Sequence, residues 1–145
     1  IEYNCRFGDP ETQPIMMRFK SDLVALCNAA LDKKLDQCTT EWDSRAALGV
    51  VLAAGGYPAS YNKGDVISGL PTADADSSNK KVFHAGTKDI NGQVTTNGGR
   101  ILCAVGLGNT VTEAQQQAYK LTKKISWDNV YYRTDIGYRA AAREK

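Results

Sequence analysis

The chain has 145 residues, 42% of them hydrophobic and 23% charged, with a formal net charge of +2. That balance suits one compact unit with a buried core, and Lys and Arg scattered rather than in runs call for neither nucleic acid nor a membrane surface as partner. No apolar run reaches the length that spans a bilayer, and no signal peptide is visible.

The chain opens abruptly on Ile1-Glu2-Tyr3-Asn4-Cys5-Arg6, as if starting in mid-strand. Extended over these residues, its side-chain period of two puts Glu2, Asn4 and Arg6 on one face and Tyr3 and Cys5 on the other. Glu2 and Asn4 are hard oxygen donors of the kind Mg²⁺ or Mn²⁺ takes, usually together with substrate phosphates. Arg6 can grip a phosphate or carboxylate bidentately. A solvated polar face on an edge strand is the alternative, and both readings stand on these residues alone. Gly8-Asp9-Pro10 turns the chain. Asp9 there caps the turn or orients a substrate, and Glu11 suits a helix start, where negative charge is favoured.

Pro14 is compatible with a first helical turn, with Ile15, Met16 and Phe19 facing a core. Ser21-Asp22 caps a second helix whose Leu23, Leu26, Cys27, Ala30 and Leu31 lie along one side, a packing stripe. Asp32 to Asp43 is polar and aperiodic and reads as a connector, with a domain boundary near Asp36 that divides the chain into 1–35 and 36–145. Ala46 to Ala54 is a buried strand, ended by Gly55-Gly56-Tyr57-Pro58. Val66-Ile67 is a short strand, and Thr72 to Lys80 an exposed loop. Lys81 to Lys88 alternates as a single strand, Asp89-Ile90-Asn91-Gly92 signals a hairpin, Gln93 to Thr96 returns, and Arg100 to Leu107 follows the Gly98-Gly99 bend. Short strands joined by turns imply an antiparallel sheet. Thr110 and Glu113 form a capping box, and Val111, Ala114, Ala118, Leu121 and Ile125 lay one helix face on the sheet, with Gln115, Gln116, Lys120, Lys123 and Lys124 outward. Trp127, Tyr131 and Tyr132 add an apolar patch, and Arg133 to Arg143 ends in a short basic helix. The class is α+β.

Two further features bear on chemistry. Lys88 and Arg100 flank the hairpin, so the turn can bring a point charge and a guanidinium fork together for a phosphate monoester, unless both are ordinary surface cations. His84, the single histidine, suits a hydrogen-bonded structural place on its strand rather than proton transfer. Cys5, Cys27, Cys38 and Cys103 have no C-x-x-C spacing and read as four reduced thiols of a cytoplasmic protein; a zinc site would need more.

The run E-Y-N-C-R-F-G-D-P-E-T-Q-P resembles the closing strand and turn of the ATP-grasp domain in the glycinamide ribonucleotide synthetases, the phosphoribosylamine-glycine ligases. The likeness continues in order through L-G-V-V-L-A-A-G-G-Y-P, G-D-V-I-S-G-L, K-V-F-H-A-G-T-K, N-G-G-R-I-L-C and D-I-G-Y-R-A, and matches only the C-terminal third of such an enzyme. The resemblance implies the end of an ATP-grasp domain followed by an α+β domain with an antiparallel sheet and packed helices. It implies an ATP-dependent ligase of purine biosynthesis that joins glycine to 5-phosphoribosylamine through glycyl phosphate. Glu2 and Asn4 would then hold Mg²⁺ or Mn²⁺ against ATP phosphates, and Arg6 would steady the glycine carboxylate or the acyl phosphate. Lys88 and Arg100 would hold the substrate's ribose 5-phosphate, with Lys80 or Lys81 as substitutes for Lys88. The ATP-holding segments of the family are missing from these residues, so the chain alone is expected to be inactive. A purine carboxylase of the ATP-grasp class, or a ribose-phosphate-binding domain without chemistry, are the alternatives.

Overall fold

The apolar run after the connector forms β1 (Ala46–Ala53), followed by β2 (Lys80–His84), β3 (Thr87–Ile90), β4 (Gln93–Thr96) and β5 (Arg100–Gly108). The computed structural model describes residues 5–72 and 78–144. In it, β5 is the middle strand of a three-stranded sheet in the order β1-β5-β2, antiparallel throughout, while β3 and β4 form a separate hairpin. β5 has neighbours on both edges and is buried from Ile101 to Gly108, which is why it reads as a near-continuous apolar run. Ala46 lies opposite Gly108 and Leu52 opposite Leu102; the register then shifts between Leu52 and Ala53, so that Ala53 faces Arg100.

Five helical pieces accompany the strands: α1 (Thr12–Arg18), α2 (Leu23–Leu31), a 3-10 turn at Leu35–Gln37, α3 (Val111–Thr122) and α4 (Tyr138–Ala142). The Thr110 hydroxyl accepts from the Glu113 amide at 3.1 Å and starts α3, while the Glu113 carboxylate reaches one residue further back than in a standard capping box, to the Asn109 amide at 2.8 Å. α3 lies on one face of the sheet, burying Ala114, Ala118 and Leu121 against Leu48, Val50, Leu52 and Leu102. Its approach is close enough that a Cβ on Gly106 would sit 2.5 Å from the Ala114 carbonyl oxygen. α1 packs on the opposite face, where Pro14 and the Cys103 thiol flank Gly49. Ile67, Ile125 and Trp127 join Leu52, Leu102 and Leu121 and extend this core beyond the end of α3. The Glu144 carboxylate, just past α4, accepts from the Val111 and Thr112 amides and so ties the last helix to the start of α3.

Several expectations are corrected. Lys81 to Lys88 is two strands in two sheets, parted by a bend at Ala85-Gly86. Alternation continues through the bend and so hides it. Val66 and Ser68 make only isolated bridges, to Thr95 and Ser126, instead of a strand. Cys5 and Arg6 lie in a bend, so the extended reading of Ile1 to Arg6 fails at its last two residues. Gln115 is part-buried and donates to the Ile136 carbonyl at 2.7 Å instead of facing solvent. Most of the Thr72 to Lys80 loop lies outside the described residues, and Lys80 itself begins β2.

The apolar stripe of α2 does not pack as a core stripe does. Asp22 caps the helix as expected, accepting from the Val24 and Ala25 amides at 2.8 and 3.2 Å, yet neither α1 nor α2 contains a buried residue. Leu23, Leu26, Cys27 and Ala30 instead line an apolar groove with Phe7, Phe19 and Trp42. Trp42 remains 45% exposed there, edge-on to Phe19 with ring centroids 5.0 Å apart. The segment is moored to the sheet domain through Asp43. The Asp43 carbonyl accepts two bonds from the Arg18 guanidinium, and its carboxylate takes a bidentate grip from Arg45 at 2.9 and 2.7 Å.

Candidate functional site

A charged pair of two sequence-predicted residues sits where the Gly8–Glu11 turn meets the start of β5. The Gly8 carbonyl accepts from both the amide and the hydroxyl of Thr12, which fixes the turn and leaves Asp9 on its outside. Arg100 opens β5, and its Nη2 donates to Asp9 Oδ2 at 2.7 Å across 91 residues of sequence. Both side chains keep contact with solvent, Arg100 at 43% and Asp9 at 55%. A guanidinium carries five N–H donors, so among the described residues the remaining ones are left for an anion.

Glycines allow a second strand to reach this point. The Gly86 amide donates to the Arg100 carbonyl at 3.0 Å, and the Asn97 amide to the Gly86 carbonyl at 2.7 Å. A Cβ on Gly86 would lie 2.7 Å from the Arg100 oxygen and 2.9 Å from the Gly98 Cα, so larger residues could not cross here. The crossing places the backbone leading to Lys88 beside Arg100. Lys88 lies within β3 opposite Thr95 and is exposed; among the described residues its ammonium group takes no hydrogen bond. The hairpin that carries it turns at Asn91 and Gly92, both with positive φ, 53° and 80°, as the Asn-Gly pair suggests. Lys80 and Lys81, the possible substitutes, pair with Gly106 and Val105. That is about 17–20 Å along β5 from Arg100 at ~3.3 Å per residue.

Of the other sequence-predicted groups, Arg6 is exposed, and its Nη1 donates to the neighbouring Phe7 carbonyl at 2.9 Å. Glu2 and Asn4 lie outside the described residues. Glu11 occupies the position that begins α1, but its carboxylate caps no amide. His84 is exposed at the end of β2, with Nδ1 3.1 Å from the Thr87 hydroxyl across the bend. Cys5, Cys27 and Cys38 are free and exposed, whereas Cys103 is free and buried; burial, helped by the nearby Asp9 charge, pushes its thiol up to about 12. Among the described residues no cluster of three or more His, Cys, Asp or Glu gathers as a metal site, and no helix is long and apolar enough to cross a membrane. The Asp9–Arg100 pair is what sequence reasoning missed. Each residue was singled out, but nothing in the sequence announces a contact between positions 91 apart.

Comparison with known proteins places this architecture. The sequence profile of a family described as "Phosphoribosylglycinamide synthetase, C domain" matches residues 47–139. A phosphoribosylamine--glycine ligase of Vibrio vulnificus (strain YJ016) is 68% identical over all 145 residues, which cover 33% of that relative. The ligase of the same name from Escherichia coli (strain K12) is 62% identical over 146 aligned residues, covering all of this chain and 34% of the relative. The chain thus spans about a third of the length of the curated relatives it matches. A crystal structure of phosphoribosylamine--glycine ligase from Thermotoga maritima superposes with a TM-score of 0.72 at 35% identity, over 94% of this chain and 32% of that one. With its antiparallel sheet, its packed helices and a profile match over more than half its residues, the chain belongs to the phosphoribosylglycinamide synthetase C-domain family.

Proposed function

We propose that the chain serves as the C-terminal third of a cytoplasmic, ATP-dependent phosphoribosylamine-glycine ligase of purine biosynthesis, and that it supplies the anchor for the phosphate of the amine substrate. The observation that carries this reading is the end-to-end match of all 145 residues to about one third of ligases bearing that name. In the reaction, a glycine carboxylate oxygen attacks the γ-phosphorus of ATP, giving glycyl phosphate and ADP. The amine of 5-phosphoribosylamine then attacks the acyl carbon, and phosphate leaves as the amide bond forms. Both steps depend on positioning and charge neutralisation more than on covalent help from protein.

The residues have separable roles. Lys88 and Arg100 would hold the ribose 5-phosphate, the ammonium as a point charge and the guanidinium as a fork. Holding the far end of the amine orients its nucleophilic end. Arg6 would steady the glycine carboxylate and the charge that develops on it. Glu2 and Asn4 are suited in donor chemistry to Mg²⁺ or Mn²⁺, which would neutralise ATP phosphate charge when bound. Asp9, held against Arg100, belongs to the substrate side.

Residues 1–35 would belong with the ATP-grasp part of the ligase and 36–145 with the C-terminal domain. Support comes from the open groove: α2 is an apolar, well-capped helix without a buried residue, lined up with Phe7, Phe19 and Trp42. Isolated helices of nine residues are marginal in water, so α2 needs a partner that the sheet domain does not provide. The preceding two thirds of the ligase would cover it. The test compares the 145-residue chain with a complete ligase carrying it. Glycine-dependent ADP release is expected from the complete enzyme alone, together with burial of Trp42 against acrylamide quenching. Turnover by the 145-residue chain by itself would overturn the reading.

A further inference from the structure

The contact between Asp9 and Arg100 assigns a role that neither residue has alone. We propose that Asp9 is a positioning residue for Arg100: it holds one edge of the guanidinium so that the other donors face the phosphate of the amine substrate. The inference rests on the ligase reading given above.

Three observations carry it. First, the bond is directional, with Nη2 donating to Oδ2 at 2.7 Å, and among the described residues it is the sole side-chain partner of the guanidinium. Nη2 carries two N–H groups and Asp9 takes one, so one of the two forks that share Nη2, with Nε or with Nη1, is left for a second, bidentate acceptor. Second, the backbone is held at both ends. Gly8 beside Asp9 is buried and accepts twice from Thr12. The Arg100 carbonyl is bonded to Gly86, and Arg100 lies at the register shift where β5 leaves its regular pairing with β1. An ion pair between two fixed backbones sets a side-chain direction, whereas a pair between mobile tails does not. Third, both partners remain solvent-accessible, at 43% and 55%. The pair therefore sits at an open surface where an anion can arrive, and solvent screening keeps its effect modest.

The arrangement also says what Asp9 is not. A carboxylate aimed at the phosphate itself would repel it, but here the acidic group contacts the edge of the guanidinium through one oxygen.

The experiment is a double-mutant cycle in a complete ligase, with Asp9→Asn, Arg100→Ala and the double variant. KM for 5-phosphoribosylamine, KM for ATP and kcat are measured for each. Asp9→Asn is expected to raise the amine KM about three- to fivefold, the scale of an exposed charge pair, with the ATP KM unchanged. In the Arg100→Ala background the same substitution should have no further effect, because Asp9 acts only through Arg100. Asp9→Glu, which keeps the charge, should recover part of the loss. A fall or no change in amine KM on Asp9→Asn would overturn the proposal, as would an equal rise in both backgrounds, which marks a merely structural role. Failure of the ligase reading looks different: Arg100→Ala would then itself leave the amine KM unchanged, and the inference would fall with it.

Discussion

Replacing Gly106 by Ala tests the platform from which Arg100 projects. Gly106 does not have positive φ, so by chain entropy alone the change should stabilise, by about 0.4–1 kcal/mol. The packing of α3 on β5 predicts the opposite. A Cβ at this position would stand 2.5 Å from both the Ala114 carbonyl oxygen and the Ala118 amide nitrogen, and 2.8 Å from the Gln117 Cβ. Carbon and carbonyl oxygen rest at ~3.3 Å or more, so α3 would have to retreat by about 0.8 Å. The contacted atoms are backbone, and a rotamer change cannot relieve the clash. Retreat would loosen Ala114 and Ala118, both fully buried, and Leu121, which is 5% exposed. Overpacking of this kind costs about 1–3 kcal/mol, and the backbone contact argues for the upper half. At about 3 °C per kcal/mol for a chain of this size, Tm should fall by about 6–9 °C. Thermal unfolding followed by circular dichroism reads the change directly. A Tm that rises, or stays within about 1 °C, would refute the close approach of α3 to β5.

Other expectations follow from the charges and thiols. Hydrogen bonds from Arg45 hold the Asp43 carboxyl well below the usual carboxylate range; Arg133 lowers that of Asp135, and the Val111 and Thr112 amides lower that of Glu144. A lowered folded pKa gives stability that is fully present above the unfolded value, about 4, and lost as pH falls through the folded value. Urea midpoints should therefore drop between pH 5 and pH 2, less so in Glu144→Gln; a midpoint that rises on acidification would contradict this. A thiol reagent should modify Cys5, Cys27 and Cys38 rapidly in the native protein and Cys103 only after unfolding. Four equally fast thiols would mean that Cys103 is not buried. Trp42 should dominate the quenchable fluorescence of the 145-residue chain, since Trp127 is 8% exposed against 45% for Trp42. Trp42→Phe should remove most of the quenchable fraction, and retention of that fraction would contradict the open groove.

The parts of the fold with local causes were readable in the sequence. β1, the Asn91-Gly92 hairpin, β5, and the Asp22 and Thr110 caps each follow from residues within a few positions of one another. The break between β2 and β3 was not, because Gly86 earns its place through contacts with Gly98 and Arg100, 12 and 14 positions further on. The glycines were visible, but their encounter was not. The α2 stripe has the right period for a core helix and yet is open, since periodicity gives a face and not the element that covers it. The same limit applies to the site. Asp9, Lys88 and Arg100 were each legible as chemistry-bearing residues, while the ion pair at 2.7 Å comes from tertiary structure alone.

The most direct measurement of the central claim is the KM for 5-phosphoribosylamine, set beside that for ATP, in a complete ligase carrying Arg100→Ala. A lost charge-assisted hydrogen bond of about 1.5–3 kcal/mol corresponds to a rise of about 10- to 150-fold in the amine KM, with the ATP KM unchanged within about twofold. An amine KM equal to that of the unaltered enzyme, or an equal rise for both substrates, would contradict the assignment of this surface to the phosphate of the amine.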